Sequence, residues 1–249
     1  MIGVLDSGIG GVTVLREILK QNIHANFIYY SDSKHNPYGD KSSDEVYSIV
    51  KWVVDYLLDM GCVAIVLACN TASAICVKRL REEYPDTLFI AIEPAYKMVH
   101  DYNPKGKTLV MATEGTINSE KFLTLFNKYD NKNTILLPCK GLAELIEEGN
   151  DVKINQYLDD NLSKYKDIDI DNVVLGCTHY PLIKKNIRRV LGDVKFFDGS
   201  LGVSKELVRQ LELRGITFDN KSFSVDFIDS NGNVSKENRF KELMSSSYE

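Results

Sequence analysis

The sequence has no long apolar run. A membrane-spanning helix needs roughly 18 consecutive apolar residues, and no segment of the 249-residue chain approaches that length. The amino terminus also lacks the charged segment and following apolar segment of a signal peptide. The net charge is −5, with basic residues interspersed among acidic ones, which disfavours nucleic-acid binding. We therefore expect a cytoplasmic protein without a membrane or nucleic-acid partner.

Cysteines are few and widely spaced. The five are Cys62, Cys69, Cys76, Cys139 and Cys177. An odd number at such spacings is not a disulfide framework and fits a reducing compartment. The lack of a Cys-x-x-Cys pair argues against a zinc or redox centre. The remaining composition, 44% hydrophobic and 26% charged, is typical of a globular protein that buries a substantial core.

Apolar strand-like runs alternate with helical patterns along the chain. The predicted strands cover residues 2–6, 26–31, 63–68, 88–92, 108–112, 134–137, 172–176, 194–197 and 223–228. The predicted helices cover residues 12–20, 43–60, 72–84, 119–129, 141–148, 152–165, 181–191, 203–214 and 235–244, with a short one after Pro94. Residues 113–118 are predicted to form a turn and residues 245–249 a frayed end. This alternation predicts an α/β fold with mainly parallel sheets.

Reactive side chains are concentrated where the strand at 172–176 ends. Cys177, Thr178 and His179 follow it directly, and Pro181 opens the next predicted helix. In an open α/β sheet, ligands bind at the carboxyl ends of the strands, so a thiol, a hydroxyl and an imidazole there suggest a reactive site. A buried cysteine beside a structural histidine is the alternative interpretation, because free cysteine often serves as a small hydrophobic residue.

The second half of the chain resembles a copy of the first. Val4-Leu5-Asp6-Ser7-Gly8 aligns with Met111-Ala112-Thr113-Glu114-Gly115, and Ala68-Cys69-Asn70-Thr71 aligns with Gly176-Cys177-Thr178-His179. Asp6 lies 63 residues before Cys69, and Thr113 lies 64 residues before Cys177. A repeat of this length is not a solenoid unit. It predicts two similar α/β domains that face each other across a cleft, each presenting one cysteine, with a crossing near residues 103–106.

Two thiols on opposite walls of a cleft can invert a stereocentre without a cofactor. One thiolate removes a proton from one face of a carbon, and the other thiol delivers a proton to the opposite face. Cys69 and Cys177 each precede a predicted helix, whose dipole favours a thiolate and whose N–H groups suit a substrate carboxylate. Asp6 and His179 are candidates to orient the thiols or shuttle protons. Helix capping by Asp6 and a core hydrogen bond by His179 are the alternatives.

Six motifs in order resemble those of the cofactor-independent glutamate racemases, within the aspartate/glutamate racemase superfamily. They are Asp6-Ser7-Gly8-Ile9-Gly10-Gly11, Pro37-Tyr38-Gly39, Ala68-Cys69-Asn70-Thr71-Ala72-Ser73, Ile92-Glu93-Pro94, Ala112-Thr113-Glu114-Gly115-Thr116 and Leu175-Gly176-Cys177-Thr178-His179-Tyr180-Pro181. The resemblance implies interconversion of L- and D-glutamate without a cofactor or a metal, which supplies D-glutamate for peptidoglycan synthesis. It also implies a homodimer, because the family commonly forms one.

The resemblance further implies two pseudosymmetric domains with the active site between them. The first domain is expected to comprise residues 1–95 and 205–249, and the second residues 96–204. By the family pattern, Cys177 takes the proton from L-glutamate and Cys69 takes it from D-glutamate. The other residues implied in catalysis are Asp6, His179 and Glu147. The implied substrate-binding residues are Asp6, Ser7, Pro37, Tyr38, Gly39, Asn70, Thr71, Thr113, Thr116, Thr178 and His179.

Two stretches depart from the family pattern, Phe197-Asp198-Gly199-Ser200 and the approach to Glu147. Pro138-Cys139-Lys140 stands where the family usually has a Cys-Pro approach to the second-domain acidic residue. Glu144 is therefore an alternative to Glu147 for that role.

Other functions fit parts of the sequence. One is a racemase for aspartate or another amino acid, or a related decarboxylase. Another is a hydrolase with Cys177 as nucleophile and His179 as base, although this leaves Cys69 unused and needs a third, orienting group. A third is a binding module that holds a dicarboxylate in the same cleft. A metal site at Cys177 and His179 is disfavoured, because a structural zinc site needs about four ligands.

Overall fold

Strands and helices alternate along the computed structural model, which describes residues 1–129 and 132–246. The strands described are β1 (Ile2–Asp6), β2 (Asn26–Ser31), β3 (Ala64–Leu67), β4 (Leu88–Ala91), β5 (Thr108–Ala112), β6 (Thr134–Pro138), β7 (Asn172–Gly176), β8 (Lys195–Phe197) and β9 (Ser224–Asp229). The α-helices described are α1 (Val12–Leu19), α2 (Ser43–Asp59), α3 (Asn70–Glu83), α4 (Tyr96–Tyr102), α5 (Glu114–Ile117), α6 (Glu120–Asn127), α7 (Leu142–Glu148), α8 (Asp151–Leu162), α9 (Lys184–Leu191), α10 (Ser200–Leu213) and α11 (Val234–Ser245). Short 3-10 turns occupy Tyr38–Asp40, Ser163–Tyr165 and Tyr180–Ile183.

The strands form two parallel sheets with related topology. The first sheet has the order β4-β3-β1-β2-β9, and the second has the order β6-β5-β7-β8. Taken from its other edge, the second order is β8-β7-β5-β6, so β5 to β8 repeat the arrangement of β1 to β4. Strand β9 extends the first sheet beside β2. This topology confirms the predicted α/β class and its pseudosymmetry.

Helices cover both faces of each sheet, which explains why the central strands are apolar. Every residue of β1 and β7 is buried. On the first sheet, α1, α10 and α11 pack on one face, while α2 and α3 pack on the other. On the second sheet, α7, α8 and α9 pack on one face and α4 and α6 on the other. In the described part of the chain, no helix is both long and apolar enough to cross a membrane.

The end of the chain lies with the first sheet. Helix α10 packs against α1 and β4, and α11 packs against β9 and α1. Strand β9 pairs with β2 in parallel register from Asn26–Ser224 to Ser31–Asp229. These contacts place a late segment of the chain on the early half of the fold. The boundaries predicted for the two domains, 1–95 plus 205–249 and 96–204, stay a prediction.

Three local predictions were wrong. Residues 113–118 are not a simple turn, because Glu114–Ile117 form α5 and the Thr113 hydroxyl accepts the N–H of Thr116 as its N-terminal cap. Cys177 does not precede an α-helix directly, because a 3-10 turn begins at Tyr180 and α9 starts only at Lys184. The predicted frayed end starts too early, since Ser245 still belongs to α11. Residues 247–249 lie outside the described residues.

Candidate active site

The carboxyl ends of the two sheets enclose a small cavity of about 50 Å³. Cys69 follows β3, Cys177 follows β7, and both line this cavity. The lining residues of the first half are Ser7, Asn36, Pro37, Tyr38, Gly39, Asp40, Cys69, Asn70 and Thr71. Those of the second half are Thr113, Glu114, Cys139, Lys140, Gly141, Ala143, Glu144, Gly176, Cys177, Thr178 and His179. The two predicted thiols therefore open on one space, each from its own sheet.

The Cys69 thiol lies at the N-terminal cap of α3 and is only 6% exposed. Its S–H donates to Ser7 Oγ at 3.6 Å. Burial raises the pKa of this thiol to about 12, and the negative charge of Asp6 acts in the same direction. Hydrogen bonds with the Ala72 N–H and the Ser7 hydroxyl oppose this rise in pKa but do not cancel it. Cys69 is therefore held as a neutral thiol at rest.

The Cys177 thiol has an imidazole as its neighbour. Its Sγ lies 3.6 Å from His179 Nδ1, and His179 Nε2 lies 2.6 Å from Glu147 Oε1. Burial alone lowers the pKa of His179. Its hydrogen bonds with Cys177 and Glu147, together with their charges, outweigh burial and raise the pKa well above 6.5. We call Cys177, His179 and Glu147 the relay, because they connect a thiol, an imidazole and a carboxylate in series.

Glu147 supports the relay from behind and does not line the cavity. Its Oε1 also accepts the Ile9 N–H at 2.6 Å, and its Oε2 lies 3.0 Å from Lys236 Nζ. Burial acts to raise the pKa of Glu147. The hydrogen bond and charge of His179, the charge of Lys236 and the Ile9 N–H reverse this effect and lower the pKa to about 2. Of the two glutamates considered for this role, Glu144 lines the cavity and Glu147 does not. Glu147 can thus act on Cys177 only through His179.

The glycine-rich turn after β1 lets the relay approach the backbone. A Cβ on Gly8 would lie 1.9 Å from Glu147 Oε1, and a Cβ on Gly10 would lie 2.5 Å from His179 Nδ1. The Tyr29 hydroxyl donates to the Gly8 carbonyl at 2.8 Å and fixes the turn. Glycine is therefore required here for close packing of two charged side chains.

Asp6 lies behind the cavity and is fully buried. Its Oδ2 accepts the N–H groups of Gly11 at 2.9 Å and Gly8 at 3.4 Å, and the Thr178 hydroxyl donates to its Oδ1 at 3.3 Å. Burial raises the pKa of Asp6, and the opposing charge of His179 does not cancel this effect. These contacts fit the alternative in which Asp6 holds the turn before α1. Its predicted part in catalysis and substrate binding stays a prediction.

Most of the predicted substrate-binding residues line the cavity, but Asp6 and Thr116 do not. Thr116 is 1% exposed, and its hydroxyl oxygen accepts from the Thr113 hydroxyl at 2.9 Å. Thr71 Oγ1 and Thr113 Oγ1, one from each half, lie 3.1 Å apart. Within the described residues, neither side-chain amide atom of buried Asn70 has a hydrogen-bond partner. Because buried polar groups are nearly always paired, this amide is available to a ligand.

A buried carboxylate that we did not predict holds the loop carrying Tyr38. The Tyr38 hydroxyl donates to Asp32 Oδ2 at 2.7 Å, and His35 Nδ1 lies 2.9 Å from Asp32 Oδ1. The available signal was the position of Asp32 immediately after β2, at the carboxyl edge of the first sheet. Lys140 also lines the cavity and was not predicted as a site residue.

Together these features define a class of protein. A thiol from each of two pseudosymmetric halves opens on one cavity, an arrangement that suits an acid/base enzyme with one base for each face of a carbon. Among residues 1–129 and 132–246, no group of three or more His, Cys, Asp or Glu side chains is placed to hold a metal ion.

The chain belongs to the Asp/Glu/hydantoin racemase family, whose profile matches residues 2–201. It is 44% identical over 226 residues to a glutamate racemase from Clostridium perfringens, covering 88% of this chain and 86% of the relative. The crystal structure of a glutamate racemase isoform from Bacillus anthracis matches with a TM-score of 0.82 and 33% identity, over 98% of this chain and 91% of that one. The glutamate racemase of Francisella tularensis in complex with D-glutamate matches with a TM-score of 0.81 and 29% identity, over 99% and 94%. The predicted family is confirmed.

Proposed function

We propose that this protein interconverts L-glutamate and D-glutamate, with Cys69 and Cys177 as its two acid/base residues. The observation that carries the proposal is that both thiols open on one cavity from opposite sheets. The family membership and the 44% identity to a glutamate racemase support the reaction. The D-glutamate complex of the Francisella tularensis relative supports the choice of substrate.

In the direction from L-glutamate, the Cys177 thiolate removes the Cα proton and the neutral Cys69 thiol protonates the opposite face. The pKa of about 12 at Cys69 keeps that thiol protonated and ready to act as the acid. His179 is oriented towards Cys177, since its Nδ1 faces the sulfur while its Nε2–H donates a hydrogen bond to Glu147. After turnover Cys69 is the thiolate and Cys177 the thiol, so the reverse reaction starts from the opposite protonation state. One proton leaves Cα and one arrives, and no electrons are exchanged.

The cavity offers neutral donors for an anionic amino acid. The unpaired amide of Asn70 and the N–H groups at the start of α3 are placed for a carboxylate. Ser7, Thr113 and Thr178 add hydroxyl groups along the wall. Lys140 adds a positive charge to a lining that also contains Asp40, Glu114 and Glu144. Such a lining favours a dicarboxylate that also carries an ammonium group.

The proposal extends to the cellular setting. The protein acts in the cytoplasm as a homodimer, without a nucleic-acid or membrane partner, and its D-glutamate enters peptidoglycan synthesis. The dimer is tested by sedimentation of the purified protein, where a single monomeric species across micromolar concentrations would exclude it.

Racemization in deuterated water tests the proposal. Folded protein incubated with L-glutamate in D₂O should give D-glutamate that carries deuterium at Cα, measured by NMR and chiral chromatography. L-Aspartate in a parallel incubation should react much more slowly. Absence of both exchange and inversion from either enantiomer of glutamate would overturn the proposal, and faster turnover of aspartate would reassign the substrate.

The relay favours a second candidate, a hydrolase with Cys177 as the nucleophile. A nucleophilic cysteine needs a base and a third group that orients this base, and His179 and Glu147 occupy these places. This candidate gives Cys69 no part in the chemistry. Mass spectrometry of the protein after incubation with activated esters decides, because a stable acyl group on Cys177 together with no racemization would favour the hydrolase.

A further inference from the structure

The carboxyl-terminal helix α11 reaches from the first sheet to the rear of the relay. Lys236 and Arg239 lie one turn apart on this helix and so share a face. Lys236 Nζ lies 3.0 Å from Glu147 Oε2, and Arg239 Nη2 donates to the Ile146 carbonyl at 2.8 Å. The two basic residues thus hold the last turn of α7, which carries Glu147.

The end of α7 is shaped to receive Arg239. Gly149 adopts φ 69°, a left-handed conformation at the end of the helix. A Cβ at this position would lie 1.9 Å from Arg239 Nη1, so only glycine leaves room for the guanidinium. A cation at the carboxyl end of a helix also interacts favourably with the helix dipole. The contact between α11 and α7 is therefore close and specific.

Lys236 completes the set of partners around a buried charge. The Glu147 side chain is 8% exposed, and the Ile9 N–H and His179 share its Oε1. Lys236 is the cation that neutralises Oε2 and is itself 23% exposed. A buried carboxylate that loses its ion-pair partner becomes a stronger base. It then competes with Cys177 for the proton of His179.

We propose that Lys236 is a positioning residue for the reaction. It fixes Glu147 as a carboxylate, so that His179 keeps Nδ1 directed at the Cys177 sulfur. Lys236 does not line the cavity and touches no reacting atom, so it acts through Glu147 and His179. The proposal rests on the racemase function proposed above and adds the carboxyl-terminal helix to the machinery of one thiol.

The charged groups around Glu147 determine the expected pH dependence. They are His179 and Cys177 within the relay, Asp6 behind the glycine turn, and Lys236 and Arg239 on α11. Substitution of Lys236 by a neutral residue removes a positive charge, so Glu147 and His179 both hold protons to higher pH. The acidic limb of the kcat/KM profile should therefore move to higher pH.

The test compares Lys236→Met with Lys236→Arg and with a matched control, Lys241→Met. Lys241 lies on the same helix, but it pairs with exposed Glu237 and not with the relay. Lys236→Met should lower kcat about tenfold with little change in KM, because the positioned acid/base groups contribute about 10²–10⁴-fold and Lys236 acts on one side only. Lys236→Arg should retain most of kcat, and Lys241→Met should match the parent in both kcat and pH profile.

A second measurement, NMR titration of the ring nitrogens of His179, requires no turnover. Lys236→Met should shift these signals and their titration, whereas Lys241→Met should not. An inactive parent with a responsive His179 would overturn the racemase function and leave the positioning role standing. If the parent is active and Lys236→Met changes neither kcat nor the His179 signals, the positioning role is overturned. A fall in kcat without any change at His179 would also overturn it, because it would assign Lys236 a purely structural part.

Discussion

The two thiols occupy equivalent places in a duplicated fold, but their surroundings differ. Cys69 ends the strand-to-helix crossing of the first half and contacts Ser7, and burial raises its pKa to about 12. Cys177 occupies the same place in the second half and contacts His179, which is linked to Glu147 and then to Lys236. One thiol is therefore kept protonated by burial, while the other has a base and a charged support.

This difference separates what duplication of the fold supplies from what it does not. The shared topology brings two thiols to one cavity from opposite sides. The polar partners of each thiol, Ser7 for Cys69 and His179 for Cys177, differ between the two halves. The Cys177 side draws on the glycine turn of the first half through Ile9 and on the carboxyl-terminal helix through Lys236. A pseudosymmetric backbone thus holds two thiols in chemically different surroundings.

Loss of either thiol should have the largest effect on racemization. The loss of activity should be similar whichever half of the fold loses its thiol. Cys69→Ala and Cys177→Ala should each lower kcat/KM for racemization by about 10³-fold, because positioned acid/base groups contribute on that order. Enantiomers are equal in free energy, so kcat/KM must fall equally in both directions for each variant. Circular dichroism assays from both enantiomers check this, and Cys76→Ala, at a buried cysteine outside the cavity, serves as the control. A variant that keeps full activity would remove that thiol from the mechanism.

Neutralising Glu147 should separate the two thiols, because Glu147 acts on Cys177 through His179 and, among the described residues, makes no hydrogen bond with Cys69. Glu147→Gln should lower kcat by about 10- to 100-fold, because His179 loses the carboxylate that orients its ring. Glu148→Gln is the matched control, since Glu148 is the next residue, is exposed and pairs with Lys153. Steady-state kinetics of the two variants decide. Equal kcat values for them would exclude the relay.

A side chain added in the glycine-rich turn after β1 should disturb the packing of His179 beside Cys177. Gly10→Ala places a Cβ 2.5 Å from His179 Nδ1 and should cost about 1–3 kcal/mol in the free energy of unfolding. Gly202→Ala is the control, because its Cβ meets nothing within 4 Å and should stabilise helix α10 by about 0.5–1 kcal/mol. Denaturant unfolding measures both values. A neutral result at Gly10 would mean that the turn does not pack against the relay as described.

The pH dependence of stability tests the charge state of Glu147. The folded-state pKa of Glu147 is about 2 against an ordinary 4.5, so its ionisation stabilises the fold. This contribution is fully present above about pH 4.5 and is lost as the pH falls towards 2. The difference in unfolding free energy between the parent and Glu147→Gln should therefore shrink between pH 5 and pH 3, while that for Glu148→Gln should change less. A difference independent of pH would contradict the lowered pKa.

Much of the fold and the positions of both thiols could be predicted from the sequence. Apolar runs such as residues 172–176 identified buried strands, and the aligned Cys69 and Cys177 revealed the duplication. The partners of those thiols were harder to predict, because they are distant in the sequence. Glu147 meets Lys236 across 89 residues and Ile9 across 138, and no local period encodes such contacts. The capped turn at Glu114–Ile117 and the 3-10 turn after Cys177 were missed because single turns give too little periodicity.

Hydrogen exchange at Cα tests the central claim, that each thiol serves one face, most directly. Exchange without inversion returns the same enantiomer. The exchange rates of L- and D-glutamate can therefore differ, whereas kcat/KM for racemization must change equally in both directions. Cys69→Ser and Cys177→Ser should be incubated separately with L- and D-glutamate in D₂O, with deuterium at Cα followed by NMR. Cys69→Ser should exchange L-glutamate and not D-glutamate, and Cys177→Ser should do the opposite. Equal exchange of both enantiomers by either variant would contradict the assignment of one thiol to each face.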